Sequence, residues 1–160
     1  MGKYPKLYTT DLAQEMYTPK RDAQKILQYI PKMHVIYEMC AGEGHMVSSF
    51  REMGYNVVTD EKEKFDVVIT NPPWRNHKDF VEKAISFNKP FAFLLRLEHL
   101  GGVRSYELFS KIDIKILIPK KRINFITPKM REGKNVGGSP FHSIWVTYGL
   151  PITDTITYIE

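Results

Sequence analysis

The sequence predicts an α/β fold built on an open, mostly parallel sheet, and three observations carry that prediction. Short apolar runs of strand length alternate with segments of helical periodicity from about residue 20 onward, the pattern of strand–helix–strand units. The turn Gly42-Glu43-Gly44 joins one apolar run to a helical one. Glu38, Asp60 and Asn71 each fall at or just past the end of a predicted strand. Parallel strands share one carboxyl rim, and ligands of such sheets bind beyond it. One sheet therefore brings these three polar residues to the same rim.

Each element has its own signal. The first 14 residues read as an irregular lead-in. Pro19 suits the first turn of a helix, and Ala23, Ile26, Leu27 and Ile30 follow at helical spacing, so a helix is predicted over 20–30 and ended by Pro31. Residues 34–39 form the first strand. Met46, Val47, Phe50 and Met53 mark a helix that stops at Gly54. Strands follow at 56–59 and 66–70, then a helix over about 77–88. Phe91-Ala92-Phe93-Leu94-Leu95 is continuously apolar, as expected of a strand buried on both faces. A helix over 103–111 and strands at 114–118, 143–148 and 153–158 complete the series.

Composition bounds the function. The 160 residues are 42% hydrophobic, 12% aromatic and 26% charged, which fits one folded domain over 1–160 and argues against disorder. The single cysteine rules out an internal disulfide framework and fits a reducing, cytoplasmic setting. No run of about 18 apolar residues exists to span a membrane, and the start lacks the apolar stretch of a signal peptide. Five histidines are scattered without metal-ligand spacing, so no metal is expected. The net charge of +5 favours a polyanionic partner.

The motifs carry the chemistry. Glycines in a strand-to-helix turn let backbone approach a ligand, next to the free N–H groups of the helix start. The third glycine of the dinucleotide fingerprint is replaced by Val47, which counts against a nicotinamide cofactor. Asp60 is placed to accept hydrogen bonds from two ribose hydroxyls, or else to sit in a solvated turn with the charged residues 61–64. Asn71-Pro72-Pro73-Trp74 is the specific signal. Two prolines stop the ladder and stiffen the turn, which holds a side-chain carbonyl and a main-chain carbonyl in place. Two such acceptors suit an exocyclic amine, taking its hydrogens and leaving its lone pair free. Trp74 offers a stacking face.

On these residues the chain resembles the S-adenosylmethionine-dependent amino-methyltransferases, chiefly the small phage-type adenine-N6 DNA enzymes. Asn71-Pro72-Pro73-Trp74 is similar to their catalytic motif, the 38–44 segment to their first cofactor motif, and Tyr17-Thr18-Pro19 to the extra cofactor motif that precedes it in one permutation class. Residues 121–128 and the 143–150 strand also look like that group, so the likeness covers about 15–150. It implies a single-domain Rossmann-like class I methyltransferase sheet, mostly parallel with one antiparallel late strand and helices on both faces. It implies that Glu38, Met39, Cys40, Ala41, Gly42 and Gly44 hold the methionine part of S-adenosylmethionine. Tyr17, Thr18 and Pro19 would close over its carboxylate side, and Asp60 would take the ribose. Asn71 and Pro72 would receive the target amine, with Pro73 and Trp74 completing the turn. Only ten residues separate Asp60 from Asn71, where family members carry a further segment contacting the cofactor's adenine. The adenine pocket is expected to be abbreviated.

Lys120, Lys121, Arg122, Lys129, Arg131 and Lys134 follow late strands and are the candidate phosphate contacts, on DNA or alternatively RNA, or else form a solvated basic loop. A separate recognition domain has no room in 160 residues, so relaxed sequence preference is expected. Cys40 reads as a small packing residue, and Arg96, Glu98 and His99 at the rim read equally as substrate contacts or as a loop-to-helix transition. The expected function is methylation of adenine N6 in DNA. The alternatives are an RNA adenine, a protein glutamine amide acting through the same two-acceptor logic, or a cofactor- or nucleic-acid-binding subunit of weak activity.

Overall fold

Alternation along the strands decides the architecture. In a computed structural model, which describes residues 16–126 and 139–160, seven strands form one sheet: β1 (Val35–Tyr37), β2 (Asn56–Val58), β3 (Val67–Thr70), β4 (Phe91–Arg96), β5 (Ile114–Pro119), β6 (Ser143–Tyr148) and β7 (Ile156–Ile159). Their order is β2-β1-β3-β4-β6-β5-β7. Every pairing is parallel except those of β6, which runs antiparallel to β4 and β5. The lead-in, Lys129, Arg131 and Lys134 lie outside the described residues.

The sheet buries both faces. Ile36, Val57, Ile69, Ala92, Leu94 and Trp145 point to one side, where α1 (Lys20–Gln24) and α2 (His45–Glu52) supply Ala23, Met46, Val47 and Phe50. Tyr37, Val68, Phe91, Phe93 and Val146 point to the other side. There α3 (His77–Ser86) and α4 (Val103–Phe109) supply Val81, Ala84 and Phe109. Neighbouring residues such as Val68 and Ile69 thus go to opposite cores, the period-two signature of a strand covered on both sides.

Two expectations need adjusting. The helix expected over 20–30 is one α-helical turn that tightens into a 3-10 turn at Lys25–Tyr29, and Pro19 is its N-cap rather than its first helical residue. Pro31 still marks the stop, because the residue before a proline is pushed to extended backbone, and Ile30 has φ −110° and ψ 118°. The last strand starts at Ile156 rather than 153.

β2 is an edge strand of three residues. The carbonyl of Val58 accepts the Glu38 N–H, while that of Val57 accepts the Arg51 guanidinium at 2.9 Å.

Candidate active site at the carboxyl rim

β1 and β3 lie side by side in the same direction, with Tyr37 opposite Val68. The residues that follow them, Glu38 and Asn71, therefore meet at one end of the sheet. Glu38 is 1% exposed. One of its carboxylate oxygens accepts the Cys40 N–H at 2.9 Å and the Thr70 hydroxyl. Burial pushes its carboxyl up to about 7, against those two hydrogen bonds, which favour the charged form. Thr70 is the last residue of β3, so this single side chain ties the glycine turn after β1 to the Asn-Pro-Pro turn after β3.

Asn71 is held from the other side. Its amide nitrogen donates to the Thr18 hydroxyl at 3.2 Å, while its Oδ1 is buried with no hydrogen-bond partner. Buried acceptors are normally satisfied, so an orphaned carbonyl oxygen in a cavity wall marks a place for a donor. Pro73 leads into a 3-10 turn at Trp74–Asn76. The Trp74 ring meets Phe141 edge-on at 4.7 Å and Phe125 at 5.7 Å, with the Arg96 guanidinium 5.6 Å from its centre.

The glycine turn explains the Tyr-Thr-Pro segment. Gly42 and Gly44 have φ of +52° and +82°, backbone that other residues adopt with strain. A Cβ on Gly42 would stand 3.3 Å from the Tyr17 ring. That ring stacks on His45, the first residue of α2, at 4.2 Å. Tyr17 is fixed by a two-bond antiparallel bridge to Ile126.

These residues enclose a cavity of about 230 Å³. Its wall includes Tyr17, Thr18, Glu38, Met39, Cys40, Ala41, Gly42, Asn71, Pro72, Pro73 and Trp74, together with Met16, His45, Met46 and Phe80. Pro19, Gly44 and Asp60 are not part of the wall. Asp60 sits exposed beyond β2 and accepts the Lys62 N–H at 3.0 Å. The cavity is smaller than the roughly 300–1,000 Å³ of typical ligand pockets, room for only part of a nucleoside-sized molecule. Burial drives the Cys40 thiol up to about 12, which leaves it an uncharged wall residue.

The basic residues divide. Topology runs β5 parallel to β4, so Lys120, Lys121 and Arg122 lie at the same rim as Asn71, and all three are exposed. Lys120 pairs with Glu160 at 3.1 Å. Arg122 donates to His142 at 3.0 Å and to the Ser139 carbonyl at 3.3 Å, and Asn124 Oδ1 accepts the Ser139 N–H. Those bonds draw residues 122–126 and 139–142 together and seat Phe125 and Phe141 against Trp74. Sequence reasoning assigned neither phenylalanine to the site. Their one local signal is position, each a lone aromatic at one base of the glycine-rich segment. It also gave no role to Thr70, His45, His77 or Phe80. Among the described residues, no cluster of three His, Cys, Asp or Glu side chains is placed to hold a metal ion.

Solved structures share this fold, two of them subunits of restriction-modification systems. One is a modification subunit of a putative type I restriction enzyme from Vibrio vulnificus YJ016, with TM-score 0.57 and 10% identity over 88% of this chain and 46% of that one. The other is the methyltransferase subunit of a type I restriction-modification system from Streptococcus thermophilus, with TM-score 0.54 and 13% identity over 91% and 47%. The chain thus spans just under half the length of each. No curated protein matches it significantly. Its residues 9–135 match the Eco57I restriction-modification methylase family. That family draws its methyl group from S-adenosylmethionine, and a pocket with a buried carboxylate and a glycine cradle fits such a donor. By this match over most of its length, on a Rossmann-like methyltransferase sheet, the chain belongs to the Eco57I restriction-modification methylase family.

Proposed function

We propose that this chain transfers a methyl group from S-adenosylmethionine to the exocyclic N6 amine of adenine in DNA. The observation that carries the reading is the buried, unpartnered Oδ1 of Asn71, fixed in the pocket wall beside Pro72. S-adenosylmethionine, when bound, supplies a methyl group made electrophilic by its sulfonium. Glu38 and the glycine turn would hold its amino-acid end, with Tyr17 and Thr18 beside it, and Asp60 would meet the ribose outside the enclosed cavity.

The chain's own work is on the amine. An aromatic amine is a poor nucleophile because its lone pair is spread into the ring. Asn71 Oδ1 and the Pro72 carbonyl would accept its two hydrogens and favour a pyramidal nitrogen. The two prolines keep those acceptors from moving, so the stabilisation needs little reorganisation. A base reaching this pocket from a duplex must leave the stack, and Trp74 would replace part of the stacking it loses. Exposed Lys121 and the neighbouring Arg122 would meet the phosphates.

The test is nucleoside mass spectrometry after incubation with S-adenosylmethionine and, separately, duplex DNA, single-stranded DNA and RNA. N6-methyladenine in a DNA pool, lost in Asn71→Ala, supports the reading. N6-methyladenine in the RNA pool alone moves the substrate to RNA. No product in any pool, with S-adenosylmethionine still bound, points to a protein amide. No product and no binding points to a subunit without activity of its own.

A further inference from the structure

Two histidines that lie 22 positions apart in sequence meet behind the Asn-Pro-Pro-Trp turn. The His77 and His99 rings stack at 3.9 Å with their planes 18° apart. His77 is 6% exposed and opens α3. Its Nδ1 lies 2.8 Å from the Trp74 carbonyl, so this nitrogen carries the proton and donates it. His99 is fixed on its far side. Its Nδ1 accepts the Arg96 N–H at 3.2 Å, and its carbonyl accepts the Ser105 hydroxyl at 2.7 Å. Arg96 in turn places its guanidinium 5.6 Å from the Trp74 ring and 4.9 Å from Phe141.

A chain of contacts therefore runs from the end of β4 through His99 and His77 to the main chain of Trp74. Both rings are kept uncharged. Burial lowers His77, and burial, followed by His77 and Arg96, lowers His99 to about 3. Two neutral rings can stack closely where two cations would repel, and a neutral His77 leaves Nδ1–H as a fixed donor.

We propose that His77 is a positioning residue for methyl transfer: braced by its stack on His99, it holds the Trp74 carbonyl, and with it the acceptors of the Asn-Pro-Pro-Trp turn, in the reactive geometry. The proposal rests on the reading of that turn as the amine-binding site. His77 touches neither cavity nor amine, so its effect belongs in turnover and not in cofactor affinity. Small misplacements of reacting groups cost on the order of tenfold to a hundredfold in rate.

Three variants test it, each measured for kcat on duplex DNA, for the dissociation constant of S-adenosylmethionine and for the indole N–H resonances of ¹⁵N-labelled protein. The two tryptophans are told apart with Trp74→Phe. His77→Phe keeps an aromatic ring on His99 but lacks the donor. The expected result is a kcat lowered about tenfold or more, an unchanged dissociation constant and a displaced Trp74 resonance. His77→Asn places an amide nitrogen near the lost Nδ1 and is expected to recover most of both changes. His99→Ala leaves the donor without its brace and is expected to give a smaller loss in the same direction. It decides the matter if His77→Phe does not fold. Wild-type kcat in His77→Phe, or in His99→Ala where only that variant folds, overturns the proposal. So does equal loss in His77→Phe and His77→Asn accompanied by weakened cofactor binding, which marks a general structural role. If wild-type protein methylates no DNA, the functional reading has failed by itself. The Trp74 resonance then judges the positioning claim: moved by Phe and restored by Asn supports it, unmoved overturns it.

Discussion

Two turns leave the same rim of the sheet and are built from opposite materials. The turn after β1 relies on glycines at positive φ, whereas the turn after β3 carries two prolines. Under the proposed function the first would bring main chain close to a ligand, with the buried Glu38 carboxylate behind it. The second would give up backbone freedom so that its acceptors stay in place. Each would then answer a different demand, close approach in one and fixed direction in the other. The hydrogen bond from Thr70 to Glu38 joins them.

The largest expected effect comes from emptying the stiff turn of its acceptor. Asn71→Ala should lower kcat on the order of 10²–10³-fold, the usual loss of one preorganised stabilising group. Isothermal titration should find cofactor affinity nearly unchanged. A matching loss in affinity would mean that the two turns share one job rather than dividing it.

The next effect separates the turns by pH. Glu38 has its carboxyl raised to about 7 by burial. A carboxyl raised on folding supports the unliganded fold while it is protonated, and that support is lost as pH rises through about 7. Melting temperature of the free protein should therefore fall between about pH 5 and 8, and Glu38→Gln should flatten that slope. The affinity for a cationic cofactor runs oppositely, strengthening over the same interval as the carboxylate forms. A flat affinity profile in the wild type would remove Glu38 from contact with the ligand's charge.

The glycine turn sharpens the comparison at smaller scale. Gly42→Ala and Gly44→Ala both force a side chain into positive φ, at about 1 kcal/mol each. Only at Gly42 does the new methyl meet the Tyr17 ring, since nothing lies within 4 Å of a Cβ at Gly44. The two should melt alike, while Gly42→Ala alone weakens cofactor binding several-fold. Smallest of all should be Asp60→Ala. That side chain is exposed and outside the enclosed cavity, so a loss of only a few-fold in cofactor affinity is expected by titration.

What the sequence revealed has a physical boundary. Strands buried on both faces print their type in a local run, as Phe91 to Leu95 do. A parallel sheet then places Glu38 and Asn71 at one rim without further information. Contacts between distant side chains leave no such print. Nothing near His77 announces His99, and nothing near Trp74 announces Phe125 and Phe141, because those meetings are made by the order of strands β3, β4, β6 and β5. The same order sets Asp60 apart. It follows the three-residue edge strand β2, one place farther from β3 than Glu38, and its side chain turns to its own loop. The change from α to 3-10 at residue 25 is likewise a packing outcome, since the apolar spacing serves either form.

The guanidinium that Arg51 lays on the Val57 carbonyl bears on behaviour in a crowded solution. A free sheet edge is a template on which another chain can add a strand, and a short edge carrying a charge is a poor one. β2 has three residues, and the carbonyl of the middle one is already taken by a cation. Replacing Arg51 with a small neutral residue would uncover that carbonyl and open this flank to intermolecular pairing, a route toward aggregation that the native side chain obstructs.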